Sequence, residues 1–276
     1  MKDYFAEGLS LFTGPEPGRI AAARRYEAIM KKQALSLTLH GGVARGDAEE
    51  VRRALAEGAD PDGIPANRYE TRRALAKLLL DMSHNNFWNQ EGAEAVACVA
   101  ALLEAGASPN EMPGDEFAPI LLAVDLLSPS ERCVVELLTR AGADVNVTVS
   151  HRGTPLHIQF AVLHSCKQHV VALLAAGADV NARANVNNAV MLAPVDVAIG
   201  YNRRRMIPLL LRAGATLDFE ATAAYPRKVY RAGGFKRYEA QMKESLARIF
   251  IDKFPAPLPA RPLRTIVEFW AHAGDY

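Results

Sequence analysis

The stretch GTPLHIQF, Gly153–Phe160, begins with a flexible turn residue, a hydroxyl and a proline, and then becomes apolar. Thr154 is a candidate helix N-cap. Pro155 falls on the first helical position, where its missing N–H costs nothing. Two roles are open to His157 behind them: a group for chemistry, or a fastener between a turn and a helix. A second apolar run, HVVALLAAGADVN (His169–Asn181), follows and ends in a glycine and a polar turn.

That ending recurs. EGADPD (Glu57–Asp62), EAGASPN (Glu104–Asn110), RAGADVN (Arg140–Asn146), AAGADVN (Ala175–Asn181) and RAGATLD (Arg212–Asp218) place glycines at Gly58, Gly106, Gly142, Gly177 and Gly214, at intervals of 48, 36, 35 and 37 residues. Spacing of this size is the signature of a repeat architecture. Seven residues before the glycines stand Val51, Val99, Val135, Val170 and Ile207. Four before stand Ala54, Leu102, Leu138, Leu173 and Leu210; three before, Leu55, Leu103, Thr139, Leu174 and Leu211. These offsets form one helical stripe, stopped by a residue that adopts a left-handed backbone at little steric cost. Another helix precedes each one. The clearest spans Pro155 to about Ser165, and Pro119 and Pro194 occupy matching places in APILLAV and APVDVAI. Each unit therefore reads as helix, short turn, helix, glycine stop and extended loop.

On these residues, GTPLHIQF followed by HVVALLAAGADVN resembles the ankyrin repeat, and the resemblance covers Ala34–Asp218. It implies an all-α solenoid of about five stacked helix-turn-helix units, at 34–62, 70–110, 117–146, 153–181 and 192–218. Helical caps would occupy 1–33 and 219–276. It further implies that Thr154 and His157 bond to each other and to backbone groups of the loops. Thr154, Pro155, His157 and the five glycines are then structural, and a partner protein docks on the concave side and the loop tips. The candidate contacts are Glu116 and Phe117 before the third unit, Val149, His151 and Arg152 after it, and Asn185, Asn187 and Asn188 after the fourth.

The sequence departs from the family pattern in three ways. Only one unit carries the full Thr-Pro-Leu-His. The inner helices of the third and fourth units read as two or three residues longer than usual. An insertion of roughly a dozen residues around MSHNNFWNQEG (Met82–Gly92) brings Phe87 and Trp88, and Glu70 or Thr71 is expected to start that unit's first helix.

Composition narrows the function classes. The formal net charge of +1 and pI near 7.8 lack the basic footprint of a nucleic-acid binder. The most apolar run, Ala118–Leu127, is about half a membrane span and is interrupted by Asp125, and MKDYFAEGLSLF has no signal-peptide pattern. Cys98, Cys133 and Cys166 are odd in number and widely spaced, as free thiols in a reducing compartment would be. The expectation is a monomeric cytoplasmic or nuclear protein that binds another protein, with no nucleic acid, membrane, cofactor or metal.

His151, His157, His164, Cys166 and His169 fall within nineteen residues, but the spacing matches no closed Cys/His zinc pattern. The reading of His164, Cys166 and His169 is surface residues. A metal- or thiol-dependent enzyme using this cluster is an alternative, although no GxSxG, Gly-rich phosphate loop or HExxH accompanies it. Arg203, Arg204 and Arg205 read as a solvated turn. After Asp218 the period is lost. Thr222–Arg231 and Phe235–Lys253 read as helices, the longer with an apolar face of Tyr238, Met242, Leu246, Ile249 and Phe250. The end, FPAPLPARPLRTIVEFWAHAGDY, reads as a capping helix through Leu263, Ile266, Val267, Trp270 and Ala273. It also faintly resembles the start of an F-box or SOCS-box, which implies, as an alternative, an adaptor recruiting a ubiquitin ligase. At the other end, Ile20, Ala23, Ile29 and Met30 mark one side of an N-terminal capping helix after Pro17.

Overall fold

A computed structural model of the chain describes residues 16–65, 72–83, 92–110, 118–126, 133–161, 166–186, 189–217, 224–253 and Thr265. They divide between two compact units, Met1–Asp144 and Val145–Tyr276.

The first unit contains α1 (Glu16–Arg45), α2 (Ala48–Ala56), α3 (Ala74–Ser83), α4 (Gly92–Glu104), α5 (Pro119–Ala123) and α6 (Val134–Arg140). Inner helix α3 packs against α1 and α5, and outer helix α4 against α2 and α6, so hairpins stack side by side in two layers. The second unit holds α7 (Pro155–Ala161), α8 (Lys167–Ala175), β1 (Ala184–Val186), β2 (Ala189–Leu192), α9 (Pro194–Gly200) and α10 (Ile207–Arg212). After these come α11 (Ala224–Arg231) and α12 (Phe235–Lys253). Helix α7 packs on α8 and α9, α9 on α10, and α12 on both α10 and α11. The fold is all-α apart from the short antiparallel β1–β2 pair.

The same apolar columns bury themselves in every repeat. Val51, Val99, Val135, Val170 and Ile207 are buried, as are Ala54, Leu102, Leu138, Leu173 and Leu210; the column three residues before the glycine is only half-buried except at Leu211. Each outer helix then closes in the same way. The amide of Gly58 donates to Leu55 O and that of Ala59 to Ala54 O, and the pattern repeats at Gly106/Ala107, Gly142/Ala143, Gly177/Ala178 and Gly214/Ala215. This is the Schellman arrangement, which satisfies the last carbonyls of a helix and requires the positive φ of 88–98° that the five glycines adopt.

Behind each glycine the polar turn bonds forward to the next repeat. Asn110 Nδ2 donates to Gly142 O (2.9 Å), and its Oδ1 accepts from the Asp144 amide (2.6 Å). Asn146 does the same to Gly177 O (3.2 Å) and the Asp179 amide (2.8 Å). Asn181 does so to Gly214 O (3.1 Å) and the Thr216 amide (2.9 Å). At the first rung an aspartate replaces the asparagine, and Asp62 accepts from the Ser108 amide at 3.0 and 3.1 Å. This rung forms across the unit that carries the insertion, so the extra residues leave the register of the turns unchanged.

Several expectations are corrected. No break separates an N-terminal cap from the first repeat, because α1 runs unbroken through residues 33 and 34. No proline interrupts the chain from Arg19 to Arg45, and its Ala, Leu, Lys, Arg and Met content favours helix. The side expected to cap the stack is open: Ile20, Ala23 and Met30 are exposed, and Ile29 is half-buried. The second unit's inner helix starts at Ala74, with the Lys77 amide donating to Arg73 O, later than Glu70 or Thr71. The third inner helix is short, because after Ala123 the bonds tighten to i→i+3 at Asp125 and Leu126. At the far end, α12 has the expected bounds, but burial fades along it: Tyr238 is buried, Met242 and Leu246 are half-buried, and Ile249 is exposed. Phe87, Trp88, residues 162–165 and the 263–273 segment apart from Thr265 lie outside the described residues.

The forward bonds predict a specific cost. Asn181→Ala removes two side-chain bonds to the backbone of the next repeat and one from the Thr216 hydroxyl. It should lower unfolding free energy by about 2 kcal/mol. Asn185→Ala, at the one exposed position of strand β1, should change it by less than about 0.5 kcal/mol. Chemical denaturation of the two variants measures the difference.

Candidate interaction surface

His157 is fully buried, and its protonation follows from its neighbours. The Thr154 amide points at Nδ1 (3.2 Å), and an amide only donates, so Nδ1 carries no proton. The Thr154 hydroxyl, 2.8 Å away, donates to the same nitrogen. The proton therefore resides on Nε2, which donates to Leu192 O at 2.9 Å. One neutral imidazole thus ties the first turn of α7 to the end of the next hairpin, 35 residues on. Burial lowers the affinity of His157 for a second proton, against the opposing pull of the Leu192 and Ala182 backbone groups and of Asp196 and Asp179.

Gly153 completes this clasp. Its φ is 79°, and a Cβ there would meet Cβ and Cγ of His157 at 2.9 Å and Cβ of Ala184 at 3.1 Å. Gly142, by contrast, has open space around the same position.

Two relatives of the clasp occur elsewhere in the chain without the Thr-Pro-Leu-His pattern. In the fifth repeat Asp196 stands where His157 does, and its Oδ2 accepts from the Ala193 amide (2.9 Å), as Nδ1 accepts from Thr154. In the first repeat His40 is buried, with Nε2 3.3 Å from Arg72 O and Nδ1 2.9 Å from Ser36 O. Arg72 is two residues before α3, as Leu192 is two residues before α9. The sequence signal was a histidine near the end of an inner helix, but no Thr-Pro marked it.

The clasp carries two loops. Between Asn146 and α7 the chain reverses through Val149–Gly153, where each of these two residues donates its amide to the other's carbonyl (3.0 and 2.9 Å). His151, at the tip, has φ 65° and is exposed; Val149 and Arg152 are half-buried. Between the fourth and fifth repeats β1 and β2 pair Ala184 with Leu192 and Val186 with Ala189, with an irregularity between. Ala184 and Val186 point inward, Asn185 outward, and Met191 is half-exposed at φ 37°. Arg183 Nη1 donates to Met191 O (3.3 Å) across the pair. Of the other candidate contacts, Glu116, Phe117, Asn187 and Asn188 lie outside the described residues.

Residues 152–185, which include Gly153, Thr154, His157 and the start of β1, match the family model of the ankyrin repeat. The helical hairpins have the all-α fold of ankyrin repeats. A fowlpox virus (strain NVSL) protein named as an ankyrin repeat protein, FPV031, is 32% identical over 123 residues, which make up 44% of this chain and 34% of the relative. The chain thus spans about a third of that relative's length.

The His/Cys cluster is divided by the ankyrin fold. His169 is not a surface residue: it is fully buried in α8, and its Nδ1 donates to Oε1 of buried Gln159 on α7 (2.8 Å). It stands eight residues before Gly177, a column that also buries Cys98, Val134 and Met206. Cys166 is the half-exposed residue before α8. His164 lies outside the described residues. Burial pushes the Cys98 thiol up to about 11, so it stays protonated near neutrality. Among the described residues, no three His, Cys, Asp or Glu side chains are placed to hold a metal, and no helix is long and apolar enough to cross a membrane. A cavity of about 320 Å³ beside α10 is lined by Leu211, Leu217, Val229, Tyr230 and Phe235, without carboxylate, imidazole or thiol.

Two predictions follow from the clasp. The folded state binds its His157 proton only below the ordinary value of 6.5, whereas the unfolded chain binds it near that value. Between the two, unfolding takes up a proton, so stability is full above 6.5 and falls as pH drops through this window. The melting temperature should fall between pH 7.5 and 5.5, and His157→Asn should melt earlier at pH 7.5 with a shallower dependence. For the glycines, Gly142→Ala should cost about 1–2 kcal/mol from backbone conformation alone. Gly153→Ala should cost clearly more in the same denaturation experiment, because its methyl group also collides with His157.

Proposed function

We propose that the chain is a non-catalytic scaffold that binds another protein through its inner-helix face and loop tips. The observation that supports this most is the way the loops are built. His157, Gly153 and the forward-bonding asparagines hold these loops to the stack, while His151, Asn185 and Met191 on them are exposed to solvent. Rigid loops on a stable scaffold lose little entropy on binding. Ankyrin repeats generally mediate protein–protein interaction, which agrees with this reading. No bond need be made or broken and no proton moved for such a surface to work.

The test is affinity capture with mass spectrometry. The variant combines His151→Asn, Asn185→Ala and Met191→Ala, with asparagine chosen because it tolerates the left-handed backbone at that position. It should keep the wild-type melting temperature and lose proteins that the wild type retains. An unchanged set of captured proteins would place the binding surface elsewhere.

A further inference from the structure

Helix α1 has two apolar faces, and only one of them is covered. It packs on α2 and α3, with Leu39, His40 and Val43 buried. On the opposite side of the helix lies a second stripe. Ile20, Ala23, Met30, Ala34 and Leu37 are exposed there, the three large side chains by 45–58%. Together with Glu27 they stand alternately three and four residues apart. That spacing lines up side chains along one edge of a helix and is the spacing through which helices take partners. Exposed Arg24 and Lys31 flank the stripe.

The start of α1 also lacks support. From Ile20 to Ala28 every residue is exposed except half-buried Ala22, and so short a helical stretch is marginal in water without packing. A stack of repeats needs a polar face at its end, and this stripe is apolar.

We propose that Tyr4–Phe12 turns back onto α1 and covers the stripe. These residues lie outside the described ones, and their chemistry, length and attachment all suit the role. YFAEGLSLF offers five large apolar side chains, Tyr4, Phe5, Leu9, Leu11 and Phe12, with one acid, Glu7, and no base. Gly14 and Pro15, between this segment and α1, are residues of a chain reversal. An extended chain reaches about 33–36 Å from Pro15 back to Phe5. The stripe ends at Leu37, about 32 Å along the helix from Glu16, so the segment is long enough to cover all of it. Glu7 suits the basic flank. A second copy laid antiparallel would instead bring Arg24 and Lys31 of the two chains together. The tether holds the segment at a high effective concentration beside the stripe, and so keeps an adhesive end of the stack closed to other proteins.

The test uses the full chain. Hydrogen exchange read by mass spectrometry compares it with a variant combining Phe5→Ser, Leu9→Ser and Phe12→Ser. Amides of residues 20–32 should exchange at least about tenfold faster in the variant, while those of α2 keep their rate. Equal exchange at 20–32 overturns the proposal. If the variant loses protection in α2 as well, a cross-link decides. Phe12→Cys plus Ala23→Cys, with Cys133→Ser and Cys166→Ser, is treated with a short bismaleimide as a mixture of isotope-labelled and unlabelled chains. A cross-link within one chain is the expected result. A cross-link between chains would give the stripe to a second copy, and none at all would leave it to a separate protein; either overturns the proposal.

Discussion

The structure depends on the primary amide of asparagine bridging one turn to the next. An amide offers a donor and an acceptor on one rigid plane. The turn ahead presents the matching pair: a carbonyl freed by the left-handed glycine, and an amide two residues later. Asn110, Asn146 and Asn181 each stand four residues past their own glycine, and each reaches the glycine carbonyl of the following repeat. Turns can meet this way only when repeats stack in register, and so every inserted residue must bulge out elsewhere. The interval of 48 residues before Gly106 obeys that rule, because Asp62 still reaches the Ser108 amide. As an acceptor only, aspartate makes half the bridge.

What local physics decides was legible in the chain. The glycine stops, the columns seven and four residues before them, and the capping of α7 by Thr154 and Pro155 all depend on neighbours within one or two helical turns. Less legible was whatever depends on a partner some 35 residues away. The polar turns advertised themselves as similar, but not as bonded forward. His157 was open to two readings until Leu192 O stood opposite its Nε2. His40 carried no motif at all, yet faces the equivalent carbonyl. The burial of His169 is legible only from its column, eight residues before the glycine. Cys98, Val134 and Met206 in that column would have signalled burial. The long helix α1 shows another limit: periodicity located the first repeat's inner helix but not the absence of a stop before it.

Burial also explains why His157 and His169 are not placed for acid–base chemistry. An imidazole useful as a general base needs a free nitrogen facing substrate. In His157 the Thr154 amide and hydroxyl occupy one nitrogen and Leu192 O the other. His169 spends its Nδ1 on Gln159 inside the core. The same residue types that suggest chemistry in a list therefore serve to join helices and loops in three dimensions.

The division of labour follows from which atoms are committed. Backbone amides and carbonyls at the turns are consumed by the glycine stops and the asparagine bridges, so the residues making those bonds have little freedom to vary. Exposed side chains such as Asn185 and His151 take no part in the asparagine bridges. Asn185 and His151 project from strands and turns whose geometry is set by other residues. Residues such as these can change while the register of the turns stays fixed, because the asparagine bridges involve neither of them.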